Sequence, residues 1–312
     1  GLHGADRNDT RTGRCRRRPA MAVAGHQAVL NIQHLLRHEG GWESRDLLEM
    51  PWSGMAAEAV RSPAPLACDG IIRYALRLPL DFAPGTRSSY SNFGYCVLGR
   101  IIESVASIPY EEYVRRDVLK TAGVTTARIG GTLREERADG EVRYYAPAGK
   151  SSLSPSVYPG EGKVPFAYGG LYLKATEASG GWIASAEDLA RFGAALDGQH
   201  GGQPLPQAAT FRLMTETPLC WTAVRRSNGI DFWHTGAIKD STSAWLVRTS
   251  EGVTLAFALN SVGPDAVAFL RDGGEAPAFI TTPERPLPVK FDAAAVRRWW
   301  PSYGSIRIME VS

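Results

Sequence analysis

Apolar periodicity divides the chain into a helical first part and a strand-rich second part. In "NIQHLLRHEGG" Ile32, Leu35 and Leu36 recur at helical spacing ahead of Gly40 and Gly41. That pattern predicts a short amphipathic helix with a glycine stop. "DGIIRYAL" predicts a second helix capped by Asp69. Leu98, Ile101, Ile102 and Val105 keep one face over roughly residues 94–106, a third helix. "YEEYVRRDVLKTAG" is a fourth, ending at Gly123. "SAEDLARF" offers Ser185 and Asp188 at capping-box spacing. Residues 51–66, rich in Pro, Ala and Ser, are predicted to be loop. Residues 130–175 are rich in Gly, Pro, Ser and Tyr with little period; they predict long loops with short strands, the kind of segment that lines a site. "IDFWHT", "SAWLVRT" and "VTLAFALNS" are β-rich, and Ser250, Glu251 and Gly252 place a hairpin turn between the last two. "DAAAVRRWW" predicts a closing helix over that sheet.

Composition is that of an ordinary globular chain: 312 residues, 44% hydrophobic and 21% charged, enough for one large domain or two small ones. The net charge of +3 selects no class of partner. The basic excess lies at the start, where "DRNDTRTGRCRRRP" carries six arginines against two aspartates. Such an arm is either a tether to an acidic surface or a solvated tail. No aromatic residue interleaves with the arginines and no nucleic-acid-binding motif follows, so residues 1–28 are read as a disordered basic arm without a nucleic-acid partner. No run of about 18 apolar residues predicts a spanning helix, and no apolar stretch near the start predicts a signal peptide. The first residue is Gly1 rather than Met, so the true N-terminus is expected to lie elsewhere. Cys15, Cys68, Cys96 and Cys220 show no CxxC spacing, against a zinc site and against a dense disulfide scaffold; the compartment stays open. His34 and His38 have the i, i+4 spacing of a helical metal pair. With no glutamate at the HExxH position and no third ligand nearby, they are read as structural.

Four stretches together resemble the serine β-lactamase-like family, which takes in class C β-lactamases, DD-peptidases, D-aminopeptidases and related esterases. They are "HLLRHEGG" (34–41), "PGTRSSYSNFGYCVLGRIIE" (84–103), "GGWIASAEDLARF" (180–192) and "HTGAIKDSTS" (234–243), in the family's order. The resemblance implies an α+β fold: an antiparallel sheet flanked by helices, plus a mostly helical lobe. The domain would span residues 29–312, with the helical lobe at roughly 45–200 and the sheet with its closing helix at roughly 205–312. It implies hydrolysis of a small-molecule ester, amide or peptide through a serine acyl-enzyme, without metal or cofactor. Tyr90 of the Tyr-x-Asn loop would shuttle protons, and Asn92 would position the lysine and the substrate amide. His234, Thr235 and Gly236 would form one wall of the cleft, and the Ala237 N–H would be an oxyanion donor.

The residue types suit those roles. A fixed N–H facing a charge that forms only in the transition state is worth about 3–4 kcal/mol. Gly236 lets a substrate approach the strand without a Cβ in the way. A cation beside Tyr90 would lower a phenol that otherwise titrates near about 10, and histidine supplies that cation only at the lower end of physiological pH.

One element of the family pattern is missing. Three residues before Lys120, Lys150, Lys163, Lys174, Lys239 and Lys290 stand Asp117, Pro147, Gly160, Leu171, Gly236 and Leu287. The Ser-x-x-Lys nucleophile motif therefore does not occur, and no Gly-x-Ser-x-Gly elbow replaces it. The favoured reading is a fragment, or a mis-predicted gene product, of an active hydrolase, incomplete at the N-terminus. The alternatives are a pseudoenzyme that binds a ligand or partner in the old cleft, and a substitute nucleophile at Ser89 or Ser91. Two structural expectations follow. Tyr90 and His234 converge although 144 positions separate them in the chain. An incomplete sheet leaves the apolar side chains of Trp233, Trp245, Leu246, Leu255 and Phe257 in water.

Overall fold

A computed structural model describes residues 30–43, 51–146, 153–198, 204–217, 219–238 and 241–261. The basic arm and the predicted closing helix at "DAAAVRRWW" lie outside the described residues. Helices α1 (Ile32–Leu36), α2 (Pro51–Val60), α3 (Cys68–Ala75) and α4 (Asn92–Ala106) build the helical lobe. Its core joins Leu35, Trp42, Ile71, Tyr74 and Phe93, with the Trp42 ring edge-on to Phe93 at 4.8 Å between centroids.

α4 is the longest of these because both ends are specified. Ser91 caps it, its Oγ accepting the Gly94 N–H at 3.2 Å, and Ser107 closes it in the left-handed region. Cys68 and Cys96 are joined in a disulfide that ties the first residue of α3 to α4, with 5.9 Å between their Cα atoms.

Three features of this lobe differ from expectation. Residues 51–60 are helical rather than loop: proline is well placed at a first helical position, where its missing N–H costs nothing, and the alanines after it favour helix. α3 starts two residues earlier than expected, and Asp69 sits in its first turn rather than at the cap, which is Ala67 without a side-chain cap bond. α1 ends at Leu36, so His38 is already off the helix at φ 57° and shares no helical face with His34.

Helix α5 (Tyr110–Tyr113) continues into a wider π-turn, Val114–Leu119, and the segment ends near Gly123, which takes positive φ as expected of a terminator. Residues 128–183 hold short pieces: β1 (Arg128–Ile129) paired with β4 (Trp182–Ile183), the hairpin β2 (Leu153–Pro155) and β3 (Lys163–Pro165), and α6 (Leu173–Thr176). Then α7 (Ala186–Ala194) opens on the Ser185–Asp188 capping box.

The second part is an antiparallel sheet with strand order β5-β6-β7-β8, formed by Thr222–Arg226, Gly229–Ile238, Thr242–Arg248 and Thr254–Leu259. α8 (Ala208–Glu216) precedes it and packs on β5. Strand β5 was not anticipated. The hairpin turn at Ser250–Gly252 was, and Gly252 takes φ 85° there. On one face α7 seats Gly193 against Leu246 and Thr254. The other face carries Trp233, Val247 and Leu255 in register. Trp233, Trp245, Leu246 and Leu255 expose only 6–8% of their surface, and Phe257 is half-buried. The expectation that this apolar surface stands in water is thus not met. No helix among the described residues is long and apolar enough to cross a membrane.

Candidate active site

The Tyr-x-Asn loop is held by the turn that follows α1. The Ser88 Oγ donates to the Arg37 carbonyl at 2.9 Å, the Ser89 N–H donates to the His38 carbonyl at 2.8 Å, and the Ser91 N–H donates to His38 Nδ1 at 3.1 Å. Gly85, at φ 79°, lets the loop turn and donate its N–H to the Glu39 carbonyl at 2.9 Å. Accepting the Ser91 N–H leaves the neutral His38 ring to carry its proton on Nε2. Its ring lies 4.7 Å from Tyr90 and 5.2 Å from Tyr95, centroid to centroid. Tyr90 is half exposed, and its hydroxyl donates to Asn92 Oδ1 at 2.8 Å. Tyr95 donates to the Leu36 carbonyl at 3.1 Å.

The sheet side contributes Cys220 and His234. Cys220 Sγ lies 3.3 Å from His234 Nε2, and Cys220 is near enough to Tyr95 to act on its phenol electrostatically. The Trp221 ring stands over His234 at 5.8 Å. Tyr90 and His234, 144 positions apart, therefore belong to one cluster: His38 borders both Tyr90 and Tyr95, and His38 and Tyr95 lie near enough to His234 and Cys220 to feel them electrostatically. Burial lowers the pKa of His38, and the nearby His234 lowers it further. Part of His234 is open to solvent, but the thiol and indole crowding its ring desolvate it and lower its pKa, partly offset by the Thr235 backbone. Burial raises the Tyr95 phenol well above its ordinary range, and Cys220 adds to the rise. It also raises the Cys220 thiol, which Tyr95 counters.

The backbone of β6 explains the rest of the site. β5 pairs with β6 only from Gly229 to Trp233, whereas β7 pairs with it as far as Ile238. Ser227 and Asn228 make a two-residue turn closed by Arg226 and Gly229, and such a turn closes on a hydrogen-bonded pair. Alternation along the ladder then directs the N–H groups of odd-numbered β6 residues toward β5. Beyond Trp233 β5 is no longer opposite, so the Thr235 and Ala237 N–H groups face an edge that no described strand pairs. At Gly236 a Cβ would meet no atom within 4 Å, so the strand presents open space there. Asn92, as the first residue of α4, is fixed by the same cap that orients Tyr90.

All six expected residues thus fall on two elements: Tyr90 and Asn92 at the start of α4, and His234, Thr235, Gly236 and Ala237 on β6. Sequence reasoning missed His38, Tyr95 and Cys220. The i+5 spacing of Tyr90 and Tyr95 across a helix start carried a usable signal; Cys220, which precedes the unanticipated strand, carried none. Among the described residues no group of three or more His, Cys, Asp or Glu side chains could hold a metal ion.

Comparison with known proteins bears on the fold and the family. A putative D-alanyl-D-alanine carboxypeptidase of Escherichia coli is 30% identical over 97 residues, which cover 31% of this chain and 21% of that protein. The chain thus aligns with about a fifth of that relative's length. The D-amino acid amidase of Ochrobactrum anthropi superposes with a TM-score of 0.55 at 19% identity, over 77% of this chain and 67% of that one. The octameric penicillin-binding protein homologue of Pyrococcus abyssi gives 0.52 at 20% identity, over 80% and 58%. These two share the fold, helices with antiparallel sheets in a β-lactamase/transpeptidase-like arrangement. Residues 19–277 match the Beta-lactamase family, and the chain belongs to it.

Proposed function

We propose that the cleft between the Tyr90 loop and β6 binds the carbonyl of a small-molecule amide, peptide or ester, for hydrolysis through a serine acyl-enzyme. The observation that carries this reading is the approach of the Tyr90 loop, through His38, to His234 beside an edge of β6 that no described strand pairs. In it, Tyr90 relays protons, Asn92 holds the hydroxyl of Tyr90 and a substrate amide, and Ala237 offers its N–H to the oxyanion. Thr235 and Gly236 form the wall along which the substrate lies. The names of the similar proteins, a D-amino acid amidase and a D-alanyl-D-alanine carboxypeptidase, favour amides and peptides with a D-configured residue as first substrates.

The nucleophile of that reaction is not among these 312 residues as a Ser-x-x-Lys motif. Catalytic groups act as a unit, so without it the serine reaction loses most of its rate. The absence also favours a second reading, a cleft that binds such compounds without turning them over.

The test joins the Ser-x-x-Lys-containing segment of a relative in frame before Asn31, in a Cys220→Ala background. The fusion should take a fluorophosphonate label on its new serine and hydrolyse D-alanine p-nitroanilide, and Tyr90→Phe with His234→Ala should lower kcat/KM by about a hundredfold or more. The unfused chain should take no serine label. A folded fusion that binds the substrate without cleaving it would leave the binding reading; one that does neither would remove both.

A further inference from the structure

Cys220 is a thiol with no part in the serine chemistry, yet it occupies the centre of the cluster. Its Sγ faces His234 Nε2 at 3.3 Å. The Trp221 ring packs edge-on to His234 at 5.8 Å between centroids and holds the imidazole beside the sulfur. The Tyr95 hydroxyl donates to the Leu36 carbonyl at 3.1 Å, and Tyr95 lies close enough to the sulfur for the two groups to interact electrostatically. The residue is only partly buried and lies outside the disulfide. A nucleophile with a base within hydrogen-bond reach is the core of an activated thiol.

We propose that Cys220 and His234 form a nucleophile–base pair that takes acyl groups from activated esters onto sulfur. As the Cys220 sulfur attacks the ester carbonyl, its proton passes to His234 Nε2. A carbon–sulfur bond forms and the carbonyl oxygen becomes an oxyanion. Collapse of that adduct breaks the carbon–oxygen bond to the alcohol, and the His234 proton leaves with the departing alkoxide. The product is a thioester on Cys220, with His234 neutral again. Water then attacks the thioester with His234 as base, releasing the carboxylic acid and restoring the thiol.

This pair stands whether or not the serine reading holds, since that reading is tested with Cys220 replaced. The experiment treats the full chain with p-nitrophenyl acetate, follows the release of nitrophenolate, and maps the adduct by mass spectrometry. One acetyl group should appear on Cys220, faster than on N-acetylcysteine under the same conditions, and Cys220→Ser should abolish that thioester. His234→Gln should slow acylation about a hundredfold with the melting curve unchanged. The pH profile gives a readout that does not depend on a variant folding. A base-assisted thiol should reach its full rate once His234 is neutral, below the ordinary histidine value of 6.5. An unassisted thiol keeps accelerating up to about 8.5. Acylation that tracks the higher value, or an adduct absent from Cys220, would overturn the proposal.

Discussion

His38 and His234 are two imidazoles held in their neutral forms by burial, each below the ordinary value of 6.5. In the unfolded chain both rings bind protons as the pH falls through that value; in the folded chain they resist. The unfolded state therefore gains protons first, and the folded state loses stability as pH drops below about 6.5, down through the depressed folded values. Above 6.5 the contribution is fully present. Urea midpoints at pH 7 and pH 5 should show the loss, and His38→Gln with His234→Gln should make the two midpoints draw together. A pair of midpoints that stays as far apart in the double variant would assign the pH dependence to other groups. The same depression departs from one expectation: at neutral pH His234 stays neutral and does not supply the cation that would lower the Tyr90 phenol. The types and positions of Tyr90, Asn92 and the His234–Ala237 run were legible because each is part of a short local pattern. His38 was visible too, but its helical spacing to His34 pointed to the wrong geometry. The chain leaves the helix at Arg37, and a left-handed backbone at His38 turns its ring toward Tyr90 instead.

Elements meet here through a few side chains whose partners lie far off in sequence. Arg248 on β7 is completely buried and makes a two-pronged ion pair with Asp197, just beyond α7: Nε to Oδ2 at 2.7 Å and Nη2 to Oδ1 at 2.8 Å. Its remaining Nη1 reaches the Gly252 carbonyl and, at 3.0 Å, the Thr254 hydroxyl. This one guanidinium fastens α7, β7 and the β7–β8 turn together. Removing the carboxylate strands a charge in the interior, so Asp197→Ala should cost about 3–5 kcal/mol. Arg248→Met with Asp197→Leu should recover much of that, since an apolar pair of similar volume needs no partner. Chemical denaturation of the parent chain and the two variants checks the order; an Asp197→Ala variant no less stable than the double one would refute it. Nothing in the sequence announced this contact, because 51 positions separate its members. The Ser185–Asp188 cap of α7 was legible by contrast, since a capping box is complete within four residues. Gly193 belongs with the long-range contacts: a Cβ there would lie 2.7 Å from Leu246 Cδ1 and 2.8 Å from Thr254 Cγ2. Gly193→Ala, favourable for an isolated helix, should instead destabilise the protein by about 1–3 kcal/mol through overpacking. β5 escaped notice for a related reason. Its five residues, "TAVRR", hold no clean alternation, and β6 beside it supplies the pairing that makes them a strand.

At the scale of the whole molecule, two observations change the stability expected from the sequence. The apolar residues of the sheet are closed from solvent, so a strong response to a hydrophobic dye is not expected of the folded chain. And the helical lobe carries a covalent tie that the cysteine spacing did not reveal. Cys68 and Cys96 are 28 positions apart on different helices, and only the packing of α3 against α4 brings them together. Closing a loop of that length removes freedom from the unfolded chain worth about 3–4 kcal/mol in the chain-entropy account. That is a large share of a domain stability of about 5–15 kcal/mol. For a chain of this size the difference corresponds to a Tm shift of about 10 °C. Both cysteines are almost fully buried, at 1% exposure, so their replacement by alanine also removes packing and the shift should be no smaller. Alkylation of the denatured, unreduced chain should leave Cys68 and Cys96 unmodified. Cys68→Ala with Cys96→Ala should melt about 10 °C lower, with dye binding rising at that lower temperature rather than before it. Because such bonds persist in oxidising compartments, chain made in a reducing host and assayed before oxidation should behave like the double variant. Cys220, in contrast, should remain open to alkylation throughout, since it faces His234 and not another thiol. Free thiols at all four cysteines in the purified native chain, together with an unchanged Tm in the double variant, would dissolve the tie between α3 and α4 and leave the helical lobe to its core alone.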